Sequence, residues 1–363
     1  MGLLRLELTD FRPFREAVFE PDPEGTTILI GPNGTGKTSL LEAVGYLGLG
    51  RSLRGSPREA MVRNGVDASI LRAELLDEGR PVLVEAEIQR VGRSRMQINR
   101  QAVRTRRDMA EAVPVTTFCP GDLDVIQRGP ADRRELLDDA LALLDPAGGA
   151  AISSVEKAVS QRNALLRQAG GRLTDDVATT LDVWDDRLTR AGDELVAMRT
   201  RLLEELAGPV DHAYRALTGD TSPGVVSATY EATAPEGMAE GLAASRVDDL
   251  RRGTTTVGPH RDDVALLLEG REARTQASQG EQRTFALALR LAIHLAATER
   301  RGTPPILLLD DVFSELDPNR GRRLVAELPV GQALVSTASP LPEGVEPAMV
   351  LDVTTLLGDH VES

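Results

Sequence analysis

The pattern of apolar and polar residues predicts an α/β chain. Residues 26–30 and 306–309 are short apolar runs of the kind that form buried strands. After the first run, apolar residues recur at helical spacing between positions 40 and 47, which predicts a strand followed by a helix. After the second run come two acidic residues, Asp310 and Asp311. The two strands are therefore predicted to belong to one parallel sheet, with polar residues at their carboxyl ends.

A long helix with a heptad seam is predicted between these two strands. Its apolar residues alternate spacings of four and three, and they are Val177, Leu181, Trp184, Leu188, Ala191, Leu195, Met198 and Leu202. Residues 152–169 are a weaker helical partner, and residues 169–174 predict the turn between the two helices. Such an arm either packs only on itself or also contacts a partner, and the pattern leaves both open.

The composition predicts a cytoplasmic protein. The charged fraction of 27% and the apolar fraction of 41% are ordinary for a soluble chain of 363 residues. No apolar run approaches the roughly 18 residues of a membrane span, and the amino-terminal residues lack a signal-peptide core. The single cysteine, Cys119, excludes an internal disulfide and a multi-cysteine zinc site. The net charge of −14 disfavours indiscriminate binding to nucleic acid.

A phosphate-binding loop is predicted directly after the first strand. Residues 31–38, GPNGTGKT, match the pattern G-x-x-x-x-G-K-[ST], in which backbone N–H groups and a helix amino terminus bind phosphate oxygens. All but two of the 42 basic residues are arginine, yet this loop keeps a lysine, whose compact ammonium suits the site. A chance glycine-rich turn is the alternative. The predicted nucleotide-binding residues are Gly31, Pro32, Asn33, Gly34, Thr35, Gly36, Lys37, Thr38 and Ser39.

The second apolar strand ends in a predicted metal ligand. Asp310 is placed to hold Mg²⁺ together with the hydroxyl of Thr38, as a Walker B aspartate does. Asp311 stands where ATPases of the ABC class carry an acid that orients or activates the attacking water. Lys37, Asp310 and Asp311 are therefore the predicted catalytic residues. Two adjacent acids at a strand end are otherwise ordinary surface charge.

A third segment, residues 277–291, resembles the ABC signature motif. It reads ASQGEQRTFALALRL, a polar turn that opens a helix. In that motif a serine and a glycine bind the γ-phosphate of ATP held by a second protomer, which here implies Ser278 and Gly280. A simple helix cap formed by Ser278 and Gln282 is the alternative. Residues 314–317, SELD, resemble the D-loop that completes the set.

Together these motifs resemble the RecF family, within the ABC/SMC-type ATPases. Three further segments carry the resemblance: FCPGDLDVIQRGPADRRELLDDAL at 118–141, QRNALLRQ at 161–168 and TTVGPHRDDVAL at 255–266. Lys37 and Asp310 are only 273 positions apart, which excludes the long coiled coil of an SMC protein. The resemblance implies an ABC/SMC-type head, a mixed sheet with an antiparallel β lobe, at 1–118 and 250–363. It also implies an inserted, mostly helical arm domain at 119–249.

The resemblance further implies a weak, DNA-stimulated ATPase that uses ATP and Mg²⁺. ATP binding would close a homodimer on DNA, and slow hydrolysis would release it. The implied role lies at single-strand gaps and duplex junctions, where RecR- and RecO-type partners help load a recombinase in repair and the SOS response. The strand at 332–336 is not followed by the switch histidine of transporter ATPases; Ser336 and Thr337 are implied to stand there, which favours slow hydrolysis.

An arginine-rich segment is the predicted contact with the DNA backbone. Residues 90–107 contain seven arginines and no acidic residue, and such a local charge governs phosphate contact more than the net charge does. The predicted DNA-binding residues are Arg95, Arg104, Arg106 and Arg107. A solvated hairpin is the alternative reading of this charge.

Two rival functions start from the same ATPase motifs. An SMC-like DNA clamp with another task shares the ATP site. The ATPase subunit of a membrane transporter predicts a switch histidine and a glutamate after the Walker B aspartate, and both are missing. A nuclease fusion of the toprim type is disfavoured by the length and by the lack of a further acidic cluster.

Overall fold

The structure is a computed structural model that describes residues 1–103, 105–145, 147–220, 224–314, 316–338, 341 and 344–357. In chain order the strands are β1 Gly2–Phe11, β2 Phe14–Phe19, β3 Thr26–Ile30, β4 Ala68–Asp77, β5 Arg80–Gln89, β6 Arg95–Ile98, β7 Gln101–Ala102, β8 Val115–Phe118, β9 Val226–Glu231, β10 Asp263–Leu268, β11 Arg271–Glu272, β12 Ile306–Asp310, β13 Ala333–Ser336 and β14 Met349–Asp352. The helices are α1 Lys37–Leu49, α2 Arg106–Ala112, α3 Asp124–Gln127, α4 Pro130–Leu144, α5 Gly148–Ala169, α6 Asp175–Thr218, α7 Met238–Arg252, α8 Ala273–Gln276, α9 Gln279–Arg301 and α10 Pro318–Glu327.

The chain divides into two compact units. Unit 1 comprises Met1–Leu123, His212–Ser222 and Arg283–Ser363, and unit 2 comprises Asp124–Asp211 and Pro223–Gln282. The predicted arm domain, 119–249, overlaps most of unit 2. The two divisions differ in three places: residues 250–282 were predicted to belong to the head but lie in unit 2, whereas residues 119–123 and 212–222 were predicted to belong to the arm but lie in unit 1.

Unit 1 contains two sheets of different kinds. The five-stranded sheet has the order β14-β3-β13-β12-β8 and all its pairs are parallel. The six-stranded sheet has the order β2-β1-β4-β5-β6-β7 and is antiparallel throughout. This confirms the predicted fold class, an ATPase head with a mixed α/β lobe and an antiparallel β lobe.

One apolar core joins the two sheets of unit 1 around helix α1. Along β1 and β4, successive side chains point to opposite faces of the sheet, so that every second one points into the core. The side chains of Leu6, Leu8, Leu71 and Leu75 are each at most 1% exposed. The apolar face of α1 packs into the same cluster, which also includes Leu308 of β12. Because α1 begins at the phosphate-binding loop, this core fixes the position of that loop.

Unit 2 contains the predicted helical arm and a small sheet. Helix α6 has 44 residues and a length of about 66 Å at 1.5 Å per residue, and its residues 175–211 lie in unit 2. The predicted seam is buried at Leu181, Leu188 and Leu195, each at most 1% exposed. The small sheet has the order β11-β10-β9 and is antiparallel. Among the described residues, no helix is long and apolar enough to cross a bilayer.

Two buried arginines in the segments that carry the family resemblance form ion pairs within unit 2. The fully buried Arg162 donates to Asp249 at 2.6 Å and to Asp185 at 2.6 Å. Arg133 makes two hydrogen bonds to Asp263, at 2.6 and 2.9 Å. A buried charge is costly unless it is paired, so these residue types must occur together for this unit to fold.

Candidate nucleotide site

The phosphate-binding loop connects β3 to α1 and is shaped by glycines. Gly31, Gly34 and Gly36 have φ of +140°, +87° and +100°, a region that side chains disfavour. A Cβ on Gly36 would lie 2.6 Å from Phe14 Cζ, whereas the described residues leave the position of a Cβ on Gly34 open to 4 Å. The loop is therefore closed towards the core and open on the side that faces outward.

Lys37 lies inside this loop and is 9% exposed. Its Nζ donates hydrogen bonds to the carbonyl oxygens of Gly31 at 2.6 Å and Pro32 at 3.1 Å. Thr35 closes the turn by donating its hydroxyl to the same Pro32 carbonyl at 2.9 Å. The loop is thus folded around its own ammonium group, which has only to turn outward to meet a phosphate.

Thr38 and Asp310 meet although 272 positions separate them. The hydroxyl of Thr38 donates to Asp310 Oδ1 at 2.6 Å. The two residues meet because β3 and β12 lie in one parallel sheet, whose carboxyl ends share an edge. A hydroxyl and a carboxylate side by side are hard oxygen ligands of the kind that Mg²⁺ takes together with phosphate oxygens. The residues present therefore fit Mg²⁺ and a nucleotide phosphate.

Ser336 is a contact of Asp310 for which the residues alone gave no signal. The family resemblance placed it at the switch position, but its partner was not predicted. It ends β13, which lies between β3 and β12, and its hydroxyl donates to Asp310 Oδ1 at 2.6 Å. The same hydroxyl accepts the backbone N–H of Asp311 at 3.2 Å.

Asp311 follows in a strained backbone conformation. Its φ is +52°, in a region where non-glycine residues are uncommon and are held by their surroundings. Its N–H donates to the Ser336 carbonyl at 3.0 Å, and its carboxylate accepts the N–H of Ala338 at 3.4 Å. The predicted D-loop residue Glu315 lies outside the described residues.

Arg54 is a second contact of Asp310 that the sequence did not indicate. It lies in the segment after α1, and its guanidinium Nη2 is 3.9 Å from Asp310 Oδ2. Its side chain is 53% exposed, whereas that of Asp310 is 9% exposed. The carboxylate therefore has hydroxyl donors on one oxygen and a cation near the other.

The signature segment begins in unit 2, at residues 277–282, and this first part carries a capping box; residues 283–291 lie in unit 1. Ser278 donates its N–H and its hydroxyl to Glu281 Oε2, each at 2.7 Å, and its hydroxyl accepts the Glu281 N–H at 3.4 Å. The capping partner of Ser278 is therefore Glu281, not Gln282. Gln282 instead donates to the carbonyls of Ala273, Arg274 and Ala277 in the turn before α9. Gly280 lies in the first turn of α9.

The arginine-rich segment forms β6, β7 and the start of α2. Arg95 is exposed on β6, and Arg107 forms an ion pair with Glu111 at 3.1 Å while remaining 42% exposed. Arg90, counted in the positive segment, donates instead to the backbone carbonyls of Val62, Arg63 and Val66 and serves the fold. Arg104 and the side chain of Arg106 lie outside the described residues.

Comparison with known proteins identifies the family. The model of the RecF/RecN/SMC N-terminal domain matches residues 2–337. The DNA replication and repair protein RecF of Acidothermus cellulolyticus is 41% identical over 355 residues, which cover 93% of this chain and 94% of that protein. RecF of Streptomyces avermitilis is 38% identical over 355 residues, with the same coverage. The chain belongs to the RecF family.

Solved structures agree with this assignment. A recombination mediator protein RecF in complex with ATP, from the RecFOR pathway, has a TM-score of 0.86 and 27% identity, covering 96% of this chain and 94% of its own. An SMC head domain from Pyrococcus furiosus has a TM-score of 0.50 and 16% identity, and shares the fold alone. The family is one of ATPases, so the predicted resemblance and fold class are both confirmed.

Proposed function

We propose that this chain is an ATP-dependent DNA-binding protein of recombinational repair and replication-gap processing. The observation that carries the proposal is the hydrogen bond of 2.6 Å between Thr38 and Asp310, which joins the phosphate-binding loop to the Walker B strand. It is supported by the ATP complex of the RecF relative, 27% identical over 96% of this chain. A protein that acts on chromosomal DNA would be located in the cytoplasm.

ATP and Mg²⁺ would be held at the edge of the parallel sheet. The backbone N–H groups of residues 33–39 and the ammonium of Lys37 would bind phosphate oxygens, while Thr38 and Asp310 would ligate the metal. Bound Mg²⁺ supplies positive charge that neutralises the phosphates. Among the described residues, no cluster of three His, Cys, Asp or Glu side chains could hold a metal alone, which fits a site completed by phosphate oxygens.

Hydrolysis would depend on residues that surround Asp310. Asp311, whose φ is +52°, would orient or activate the attacking water. Arg54, 3.9 Å from Asp310, supplies a cation for the negative charge of the transferred phosphate. Slow hydrolysis, stimulated by DNA, is the expected activity.

Dimerisation would use the signature helix. Ser278 and Gly280 of one protomer bind the γ-phosphate of ATP held by its partner, because a helix amino terminus with a hydroxyl suits an anion. ATP binding then closes a homodimer on gapped or junction DNA, and hydrolysis releases it. RecR- and RecO-type proteins are the proposed partners in recombinase loading and SOS induction, in keeping with the RecFOR pathway of the solved relatives.

Sedimentation of the wild type, Lys37→Met and Ser278→Arg tests this function. Each protein is run with and without ATP·Mg²⁺ and a gapped duplex, and Lys157→Met is the matched control because Lys157 is exposed on α5. We expect dimers only with ATP, only in the wild type and the control, and retained on DNA. If the wild type stays monomeric and binds DNA equally with and without ATP, then ATP does not control dimerisation or DNA binding, and the proposal is wrong.

The DNA interface is tested through its salt dependence. Replacing Arg95, Arg104, Arg106 and Arg107 by alanine should lower the affinity, and the slope of log K against log salt should become shallower by about 0.9 for each phosphate that the protein no longer neutralises. Arg190→Ala, at an exposed arm position, is the control. An unchanged slope in the quadruple variant would remove this segment from the DNA interface.

An SMC-like clamp with another DNA task remains the second candidate. It shares the head fold at a TM-score of 0.50. If the protein with ATP binds gapped DNA no more tightly than intact duplex, the SMC-like clamp is favoured.

A further inference from the structure

A buried chain of hydrogen bonds in unit 1 ends at Arg54. Glu42, on α1, is 1% exposed and accepts hydrogen bonds from Arg12 Nε at 2.7 Å and Nη2 at 2.8 Å. The same carboxylate accepts the hydroxyl of Ser52, which is 3% exposed. Ser52 Oγ in turn accepts the backbone N–H of Arg54 at 3.1 Å. The chain therefore runs from the β1–β2 turn, across α1, to the residue whose guanidinium faces Asp310.

Stability alone does not account for this chain. A buried ion pair is often matched or surpassed in stability by apolar residues of similar volume, because both charges lose their hydration. Position 42 lies on a helix whose neighbours Leu41 and Ala43 are fully buried, so an apolar side chain there would suit the core. What the carboxylate provides, and an apolar residue would not, is a fixed acceptor for the Ser52 hydroxyl.

Packing against α1 also holds the segment of residues 52–54 in place. Gly45 lies one turn along α1 from the chain, and a Cβ there would stand 2.5 Å from Leu53 Cδ2 and 2.7 Å from Leu53 Cγ. The missing side chain thus lets Leu53 lie directly against the helix. Ser52 and Leu53 are both anchored to α1, and Arg54 is the first residue after them whose side chain is largely exposed.

We propose that Arg12, Glu42 and Ser52 are positioning residues that hold Arg54 towards the Mg²⁺ and γ-phosphate end of the site. Arg12 neutralises Glu42, Glu42 fixes the rotamer of Ser52, and Ser52 fixes the backbone of Arg54. The guanidinium is thereby presented from a rigid element and not from a mobile loop. This inference rests on the proposed ATPase function, and it names residues that accelerate ATP hydrolysis by positioning Arg54.

Ser52→Ala is the variant that breaks the chain with the smallest change in volume. We expect its kcat for ATP to fall about tenfold, since the Arg54 backbone loses a hydrogen bond and its fixed position, while KM changes less than about threefold. Arg54→Ala should lower kcat at least as far. The double variant should match Arg54→Ala alone, because Ser52 acts only through Arg54.

Hydrogen exchange gives a readout that needs no nucleotide. In the nucleotide-free protein the Arg54 amide should exchange about tenfold faster in Ser52→Ala than in the wild type, since its acceptor is gone. Ser52→Thr keeps the hydroxyl and should restore both exchange protection and kcat. Ser69→Ala is the matched control: Ser69 is fully buried in the same unit and donates its hydroxyl to the Thr9 carbonyl at 3.1 Å, away from this chain.

The outcomes separate this inference from the proposed function. If Lys37→Met hydrolyses ATP as fast as the wild type, the ATPase assignment itself fails. If Lys37→Met and Arg54→Ala are slow but Ser52→Ala keeps the wild-type kcat, the positioning role is overturned. Faster Arg54 exchange without a loss of kcat overturns it equally. A fall of kcat in Ser69→Ala as large as in Ser52→Ala would show a general loss of packing and likewise overturn it.

Discussion

A buried histidine makes the stability of unit 1 depend on pH. His294 lies on α9, is 1% exposed, and its Nδ1 is 2.6 Å from the hydroxyl of Thr116 on β8. Burial lowers the pKa of His294 to about 4 from its ordinary 6.5, because the imidazolium would lose its hydration. The folded protein therefore keeps this ring neutral at pH values where the unfolded chain protonates it.

The sign and size of the effect follow from proton linkage. Above pH 6.5 the ring is neutral in both states, and between pH 6.5 and 4 only the unfolded chain binds the proton, so stability falls as pH falls. Between pH 7.5 and 5.0 this one group should cost about 2 kcal/mol of unfolding free energy. The loss continues down to about pH 4, where the folded state begins to bind the proton as well.

His294→Asn removes the titration while keeping an amide that can hydrogen-bond to Thr116. Urea unfolding followed by circular dichroism at pH 7.5 and 5.0 measures the loss in each protein. We expect the wild type to lose about 2 kcal/mol more than the variant. His212→Asn, at a position whose side chain is 65% exposed, is the control for replacing a histidine. Equal losses in the wild type and His294→Asn would refute the reasoning.

Two further substitutions test the metal site and the arm. Ser336→Ala removes a hydroxyl donor from Asp310 and should raise the Mg²⁺ concentration needed for half-maximal ATPase activity about tenfold, the value of one hydrogen bond to a charged group; an unchanged Mg²⁺ titration would contradict this role. Arg162→Leu leaves the fully buried Asp249 without its cation and should destabilise the protein by about 3–5 kcal/mol in urea unfolding. Arg190→Leu, which removes an ion pair whose arginine is 79% exposed, should cost less than about 1 kcal/mol, and similar losses in the two would contradict the argument.

The local motifs were predictable because their chemistry is local. The pattern that ends in Lys37 and Thr38 needs glycines at fixed spacing, and an apolar strand followed by Asp310 needs only adjacent residues. Each is read within about a dozen positions of sequence. The fold class followed from the same segments, since two strands with a helix after the first imply a parallel sheet.

Beyond Thr38, the partners of Asp310 were not predictable from the sequence, because they depend on which strands and segments lie beside β12. Ser336 reaches Asp310 only since β13 lies between β3 and β12. Arg54 reaches it only through the segment after α1, and one arginine among so many carries no signal of its own. The role of Arg90 was hidden for a similar reason: its charge indicated DNA, although its guanidinium donates to four backbone carbonyls of the same unit.

The limits of the inserted domain were harder to read than its helices. Residues 250–282 contain β10 and β11, and they were predicted to belong to the head. Strand β10 instead pairs with β9, with Val264 opposite Tyr230. The six-stranded sheet of unit 1 and the small sheet of unit 2 are both antiparallel. Which of the two sheets a strand joins depends on long-range pairing, which the periodicity of the sequence does not encode.

The enclosed ammonium of Lys37 has a consequence for chemical modification. The protein has just two lysines, and Lys157 lies exposed on α5 while Lys37 is 9% exposed and donates to the carbonyls of its own loop. Reagents that acylate primary amines therefore meet, besides the amino terminus, one side chain at the surface and one inside the loop. Lys157 supplies an internal standard. The ratio of acylation at the two lysines therefore reports how often the loop opens, without any substitution in the protein.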